Sequence, residues 1–230
     1  SRRSTSRRYF DDNRDCVIKN SRVQVAWVAL GFYLSFLFFW TLSHELSDMR
    51  ATRFPLYFDW ESNIVFQGWA LPLYFSLDIA VIVFPFYYRS WRNAIAPVGT
   101  ILIQTAIAAI FFVLVPIEPG YETTGVWGPY FYEYFSLDNL SRWNHAPSLH
   151  VAFAYSLAWF VGNQKSIRLI LCMLWATGVS ISTMLVHEHH LICVLGGFAL
   201  FVFTIVTVYP TLLQRKFNDP NPCTMLDCST

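Results

Sequence analysis

Charged side chains are scarce in this chain of 230 residues. Asp, Glu, Lys and Arg together make up 13% of the sequence, whereas hydrophobic residues make up 55%. A soluble globular domain usually carries about 25% charged residues, so this shortage argues against one and indicates an integral membrane protein. The formal net charge is only +1. A net charge so close to zero gives no argument for nucleic-acid binding, and we expect no nucleic-acid partner.

Cysteine is also infrequent, with five residues in the whole chain. Only Cys223 and Cys228 form a local pair, with C-x4-C spacing in a polar tail. A single pair of this kind is weak evidence for a zinc site or a disulfide. We expect free thiols in a reducing compartment, and a disulfide between these two residues stays open if the tail lies outside the cytosol.

Long apolar runs are what the sequence does contain. Six of them follow one another, at residues 23–42, 68–88, 94–115, 148–161, 167–186 and 191–209. All but the shorter fourth run are about 20 residues long, which suffices to cross the roughly 30 Å hydrocarbon core as a helix. The first run lacks the small-residue cleavage site of a signal peptide, so we expect it to be retained. The sequence predicts an all-α, polytopic membrane protein, a bundle of six transmembrane helices.

The polar ends of the chain define two flanking segments. Residues 1–21 form a basic arm suited to anionic lipid headgroups, residues 22–213 the bundle, and residues 214–230 a polar tail expected to be mostly extended. Pro210 is expected to end the sixth span.

The distribution of positive charge predicts an orientation. With six spans, thirteen of the sixteen lysines and arginines fall on one side of the membrane and three on the other. The positive-inside rule then places both termini on the cytosolic or matrix side of a multi-pass protein.

Two connectors and one carboxyl within a span carry further expectations. Residues 43–67 mix charged and aromatic side chains and suit the membrane interface. The aromatic loop at residues 117–146 fits either a lid over a headgroup site or an aromatic belt that seats the loop. Asp78 lies near the middle of the second span, where a carboxyl is a functional candidate, or a protonated group bonded to a neighbouring helix.

Histidines are concentrated in two places. Five of the six lie within residues 144–150 and 187–190, each at the end of an apolar run and on the same predicted face. A lone histidine at a membrane edge is most often an interfacial or capping residue. Two clusters on one face favour shared chemistry, because neutral imidazole can act as nucleophile, general acid or metal ligand near pH 7. The spacing matches no strong metal motif, so we predict neither a metal nor another cofactor.

The two clusters match known signatures. Pro147-Ser148-Leu149-His150, with the apolar residues that follow, and Ser182-Thr183-x5-His189-x3-Cys193 resemble the second and third signatures of the type-2 phosphatidic acid phosphatase and vanadium haloperoxidase superfamily, especially its inositol phosphorylceramide synthase-like branch. The similarity of arrangement covers roughly residues 71–213.

The resemblance implies roles for individual residues. His189 would be the nucleophile that takes the phosphoryl group, and His150 the acid that protonates the leaving alcohol. Cys193 stands where the family has the Asp that orients the nucleophile, and Glu188 is an alternative orienter. If a helix begins near His189, Cys193 lies on the same face. Candidate substrate-binding residues are Ser148, Ser182, Arg142 and Asp78.

Three further positions depart from the family pattern. Phe111 and Glu118 occupy the places of the Lys and Arg of the first signature, and Thr183 that of the Arg of the third. Two functions therefore remain open. One is a lipid phosphatase or headgroup phosphotransferase acting on a phospholipid or sphingolipid. The other is a catalytically inactive relative that binds lipid or serves as a structural subunit among partner membrane proteins.

Overall fold

The computed structural model describes the main chain of residues 2–118, 120–121, 144–162 and 167–218, with side chains from residue 22 to residue 214 within those ranges. Its elements are helical. They are α1 (Arg2–Asp48), α2 (Leu71–Val83), α3 (Trp91–Leu114), α4 (Leu149–Gly162), α5 (Ile167–Leu185), α6 (Leu191–Phe203) and α7 (Tyr209–Asn218), with 3-10 turns at Asp59–Asn63, Gly68–Ala70 and Phe84–Tyr87. Within these ranges the β pairing is limited to one bridge between Phe54 and Ile117.

Among the residues that the structure describes, five helical segments are long and apolar enough to cross a membrane. They are Arg22–Asp48, Gly68–Tyr87, Trp91–Leu114, Ile167–Leu185 and Leu191–Gln214. This supports a multi-pass integral membrane protein. The predicted count of six is not reached on length, because α4 has only 14 residues and spans ~21 Å at the helical rise.

The short helix α4 lies at the centre of the bundle. It packs against α2, α3, α5 and α6, while α1 packs on α3. Val151, Ala152 and Ala154 of α4 are completely buried. A helix with neighbours on several sides is apolar all round, which explains why α4 lacks a polar face.

Close packing joins the start of α4 to α6. A Cβ added at Gly197 would overlap the carbonyl oxygen of Ser148 and lie 2.9 Å from Cβ of Val151. The Ser148 N–H also donates to the Cys193 carbonyl oxygen at 3.0 Å. Glycine therefore allows the α6 backbone to approach the residue that precedes α4.

A buried amide ties three elements together further along the bundle. The Gln104 Nε2 of α3 donates to Ser156 Oγ of α4 at 2.8 Å and to Thr204 Oγ1 at 2.7 Å. Thr204 begins a π-helical turn, Thr204–Val208, which follows α6. Interhelical hydrogen bonds of this kind help to fix how helices pack in a membrane.

The basic arm is helical from Arg2 and continuous with the first span. Two expectations about the end of the last span are corrected, the first because residues 214–218 belong to α7 and are not extended. Pro210 does not end the last helix, because α6, the π-helical turn and α7 follow one another without a break and Pro210 lies directly after the π-helical turn. A π-helical turn changes the local hydrogen-bond pattern, and proline in a membrane helix is tolerated where such an adjustment satisfies the freed main-chain groups.

Candidate functional site

The two histidine clusters meet at one end of the bundle. The ring centroids of His150 and His189 are 5.8 Å apart, and those of His145 and His189 are 5.9 Å apart. His150 lies in the first turn of α4, whereas His189 lies in the connection between α5 and α6. The fold therefore brings three imidazoles from distant parts of the sequence into one site.

The segment before α4 is fixed from two sides. Asn144 is buried against the end of α1, where its amide bonds the hydroxyls of Ser43 and Ser47, each at 3.2 Å. Ser148 is completely buried, and its hydroxyl accepts from the Val151 N–H at 3.3 Å. That bond, three residues into the helix, is the usual contact of a serine N-cap. His145 and His150 are thus held at either end of a fixed loop.

The residues that connect α5 to α6, 186–190, are called the histidine turn below. The N–H groups of Glu188 and His189 both donate to the Thr183 carbonyl oxygen, at 2.9 and 3.1 Å. His145 Nδ1 donates to the Glu188 carbonyl oxygen at 2.9 Å. His187 has φ of +63°, a left-handed backbone conformation that residues other than glycine seldom adopt. The surrounding hydrogen bonds hold His187 in this uncommon conformation.

His189 is nearly buried, and its surroundings favour the neutral imidazole. Burial lowers its pKa well below the ordinary 6.5, and the neighbouring imidazoles of His150, His145 and His190 lower it further, while a hydrogen bond to the His145 main chain opposes them. Its Nδ1 is buried and has no hydrogen-bond partner among the described residues. The ring is therefore a neutral base whose orientation comes from the backbone.

His150 has an aromatic and an acidic neighbour. Its ring stacks on Tyr74 of α2, with centroids 4.4 Å apart and planes 19° apart. Its Nε2 is 3.8 Å from Oδ1 of Asp78, whose side chain is about half exposed. The Asp78 carboxylate is thus available as the counter-ion of a protonated His150.

His190 belongs to a second, buried arrangement. The rings of His187, Tyr121, His190 and Tyr57 stack in that order, with successive centroids 4.2, 4.4 and 5.0 Å apart. His190 Nδ1 is 2.7 Å from Oε2 of Glu61, a carboxylate with no exposed surface. Burial lowers the pKa of His190, and the hydrogen bond and charge of Glu61 oppose that shift.

The other predicted site residues lie in structural positions. The Ser182 hydroxyl is buried and donates to the Val179 carbonyl oxygen at 2.7 Å within α5. Cys193 is a completely buried free thiol. The expectation that it follows His189 on one helix face is wrong, because α6 begins at Leu191 and His190 is its N-cap. Arg142 lies outside the described residues, as does the cysteine pair of the tail.

The positions that depart from the family pattern are also accounted for. Phe111 is exposed on α3, Glu118 is exposed just beyond it, and the Thr183 hydroxyl is buried and donates to the Ser180 carbonyl oxygen at 2.8 Å. Within the described ranges, no group of three or more His, Cys, Asp or Glu residues is placed to hold a metal ion.

Comparison with known proteins finds no matching family model, no matching curated protein and no matching solved structure.

Sequence reasoning missed Glu61, Tyr57 and Tyr74 as members of the site. Glu61 lies in the segment expected at the interface, and its partner His190 is 129 positions away. The one available signal was a carboxyl directly after the aromatic residues Tyr57, Phe58 and Trp60, which by itself indicates only a solvated side chain.

Proposed function

We propose that this chain is an integral membrane lipid phosphatase or headgroup phosphotransferase of the type-2 phosphatidic acid phosphatase kind, with His189 as nucleophile and His150 as acid. The observation that carries the proposal is the 5.8 Å separation of their rings at one end of the bundle. A reacting phosphorus atom between them would be within reach of both side chains.

The reaction proceeds in two steps. The neutral His189 imidazole attacks the phosphorus of a lipid phosphate, an N–P bond forms, and the P–O bond to the lipid alcohol breaks. The protonated His150 gives its proton to the departing oxygen. Water or a second alcohol then attacks the phosphorus, His150 takes back a proton, and the N–P bond breaks. Asp78, 3.8 Å from His150, is the counter-ion of the protonated acid.

An apolar groove beside the site supports a lipid substrate. It encloses about 340 Å³ between α1 and α3 and is lined by Phe39, Leu42, Ser43, Leu46, Ala106, Ala109, Ile110, Val113 and Leu114. Ser43 joins the groove to the site, because its hydroxyl accepts from the amide of Asn144, the residue before His145. An acyl chain in this groove would leave its headgroup near the three imidazoles.

Membership of the six-span family requires α4 to serve as the sixth, shorter span. The termini then lie on the cytosolic or matrix side and the histidines open onto the opposite face, in agreement with the thirteen to three distribution of Lys and Arg.

The alternative function is a catalytically inactive relative with a lipid-binding or structural role in a membrane complex. The unpartnered Nδ1 of His189 favours it, because the family's orienting carboxylate is replaced by the thiol of Cys193. Phosphoryl transfer also depends on cations around the phosphate, and Phe111, Glu118 and Thr183 supply none.

The experiment that separates the two functions is phosphate release or headgroup transfer from a panel of phospholipid and sphingolipid phosphates by the purified protein in detergent. We expect His189→Ala to abolish turnover and His150→Gln to reduce it by about 10²- to 10⁴-fold. His44→Ala is the matched control, since His44 lies near the end of α1 outside both clusters. Wild-type turnover no higher than that of folded His189→Ala would support the inactive alternative.

A further inference from the structure

Glu61 is a completely buried carboxylate outside every motif of the sequence. Its Oε2 accepts from His190 Nδ1 at 2.7 Å, and its Oε1 accepts from the Leu191 N–H at 2.9 Å. Leu191 is the first residue of α6, where a negative charge is favoured by the free N–H groups of the helix end. One side chain therefore holds both the last residue of the histidine turn and the start of the following helix.

The hydrogen bonds of His190 fix its tautomer. The Gly120 N–H donates to His190 Nε2 at 3.0 Å, so Nε2 carries the lone pair. Nδ1 therefore carries the proton and donates a hydrogen bond to Glu61. A Cβ added at Gly120 would lie 2.7 Å from the Tyr57 ring, so this approach depends on glycine. Both nitrogens of His190 are occupied. The ring is an anchor and not a second nucleophile.

The segment that carries Glu61 holds the other end of the histidine turn as well. Residues 59–64, called the brace below, include Ile64, whose carbonyl oxygen accepts from His187 Nε2 at 2.8 Å. Just beyond the brace, the Gln67 N–H donates to the Leu185 carbonyl oxygen at 2.9 Å. His189 lies between the attachment of His187 to Ile64 and that of His190 to Glu61. The left-handed φ of His187 persists because these attachments determine it.

We propose that Glu61 is the positioning residue of this site, acting through His190 and the start of α6 to direct the His189 ring toward His150. The inference rests on the proposed function. His189 has an unpartnered Nδ1, so beside its hydrogen bond to the His145 main chain its orientation depends on the backbone on either side. In the resembled family the carboxylate acts on the nucleophile itself, whereas here it acts on the next residue along the chain.

Steady-state kinetics of the full chain in detergent with a lipid phosphate test this role. Glu61→Ala leaves two buried donors unsatisfied and frees the turn, so we expect kcat to fall roughly 100-fold with KM nearly unchanged, as misplaced reacting groups do. Glu61→Gln keeps one acceptor and should lose less. Asp59→Asn, an exposed carboxyl in the same 3-10 turn, is the matched control and should keep full activity.

A double variant shows whether Glu61 acts through His190. If it does, Glu61→Ala combined with His190→Ala should lose no more kcat than the more damaging single variant, because both remove the same attachment. The proposal would be overturned if the folded double variant lost kcat by the product of the two single-variant factors. It would also be overturned if the Glu61 variants kept kcat within twofold of wild type.

Imidazole nitrogen NMR of histidine-labelled protein in detergent separates this proposal from the proposed function. We expect wild-type His190 to be the Nδ1-protonated tautomer, and the His189 signals to shift and broaden in Glu61→Gln but not in Asp59→Asn. That result with an inactive wild type would uphold the positioning role and reject the phosphatase. Unchanged His189 signals in Glu61→Gln would reject the positioning role, whatever the activity.

Discussion

The charge state of His189 decides whether the site can attack phosphorus. Burial and three neighbouring imidazoles lower its pKa well below 6.5, so the neutral nucleophile persists as the pH falls through that value. We expect kcat/KM not to fall as the pH is lowered from 7.5 to 6.5, since His189 stays neutral and protonation of His150 favours the reaction. A fall is expected only at lower pH, after correction for the ionisation of the phosphate near pH 6. An acid limb centred at or above pH 6.5 would contradict the burial of this ring.

Ser148 tests whether a motif residue binds substrate or shapes the fold. Its hydroxyl caps α4, so Ser148→Ala should lower the free energy of unfolding by about 1 kcal/mol while leaving KM unchanged. Ser182→Ala is the comparison, because that hydroxyl bonds a carbonyl oxygen within its own helix and should matter less. Unfolding in mixed detergent and steady-state kinetics give both quantities. A raised KM with unaltered stability would instead support the substrate-binding role implied by the resemblance.

The close contact at Gly197 joins α4, which carries His150, to α6, which follows His189. Gly197→Ala would overlap the Ser148 carbonyl, so we expect a loss of about 1–3 kcal/mol in unfolding free energy, the usual effect of overpacking, together with reduced turnover. Gly31→Ala is the control, since a Cβ there meets no atom within 4 Å. Equal stability and turnover in the two variants would show that this close approach does not hold the site together.

The apolar runs predicted the helices well, and their ends less well. Residues 94–115 and 167–186 correspond closely to α3 and α5, because a long apolar run has few alternatives to a helix in a bilayer. Pro210 misled the prediction, since a π-helical turn directly before it lets the helix continue through the proline. His150 and His189 were expected to lie close together because both were predicted on the same membrane face. The pairing of Glu61 with His190 could not be predicted, because no local pattern joins side chains 129 positions apart.

At the scale of the whole molecule, the number of membrane crossings depends on α4. In the described part of the chain five helices are long enough to span, and a sixth crossing by α4 would place both ends of the chain on the same side. We expect tags fused to the two termini to be equally protected from protease, or equally accessible to it, in sealed oriented vesicles. Opposite accessibility of the tags would indicate five crossings. It would also contradict the prediction that the histidine site opens on the membrane face opposite both termini.

The most direct test of His189 as the nucleophile is to trap the covalent phosphohistidine intermediate. Purified protein is mixed with a lipid phosphate labelled on phosphorus, quenched within one turnover under alkaline conditions, where phosphohistidine survives, and digested for mass spectrometry. We predict phosphate on His189, absent in His189→Ala and retained in His44→Ala. Turnover without any phosphohistidine, or phosphate on another residue, would contradict His189 as the nucleophile.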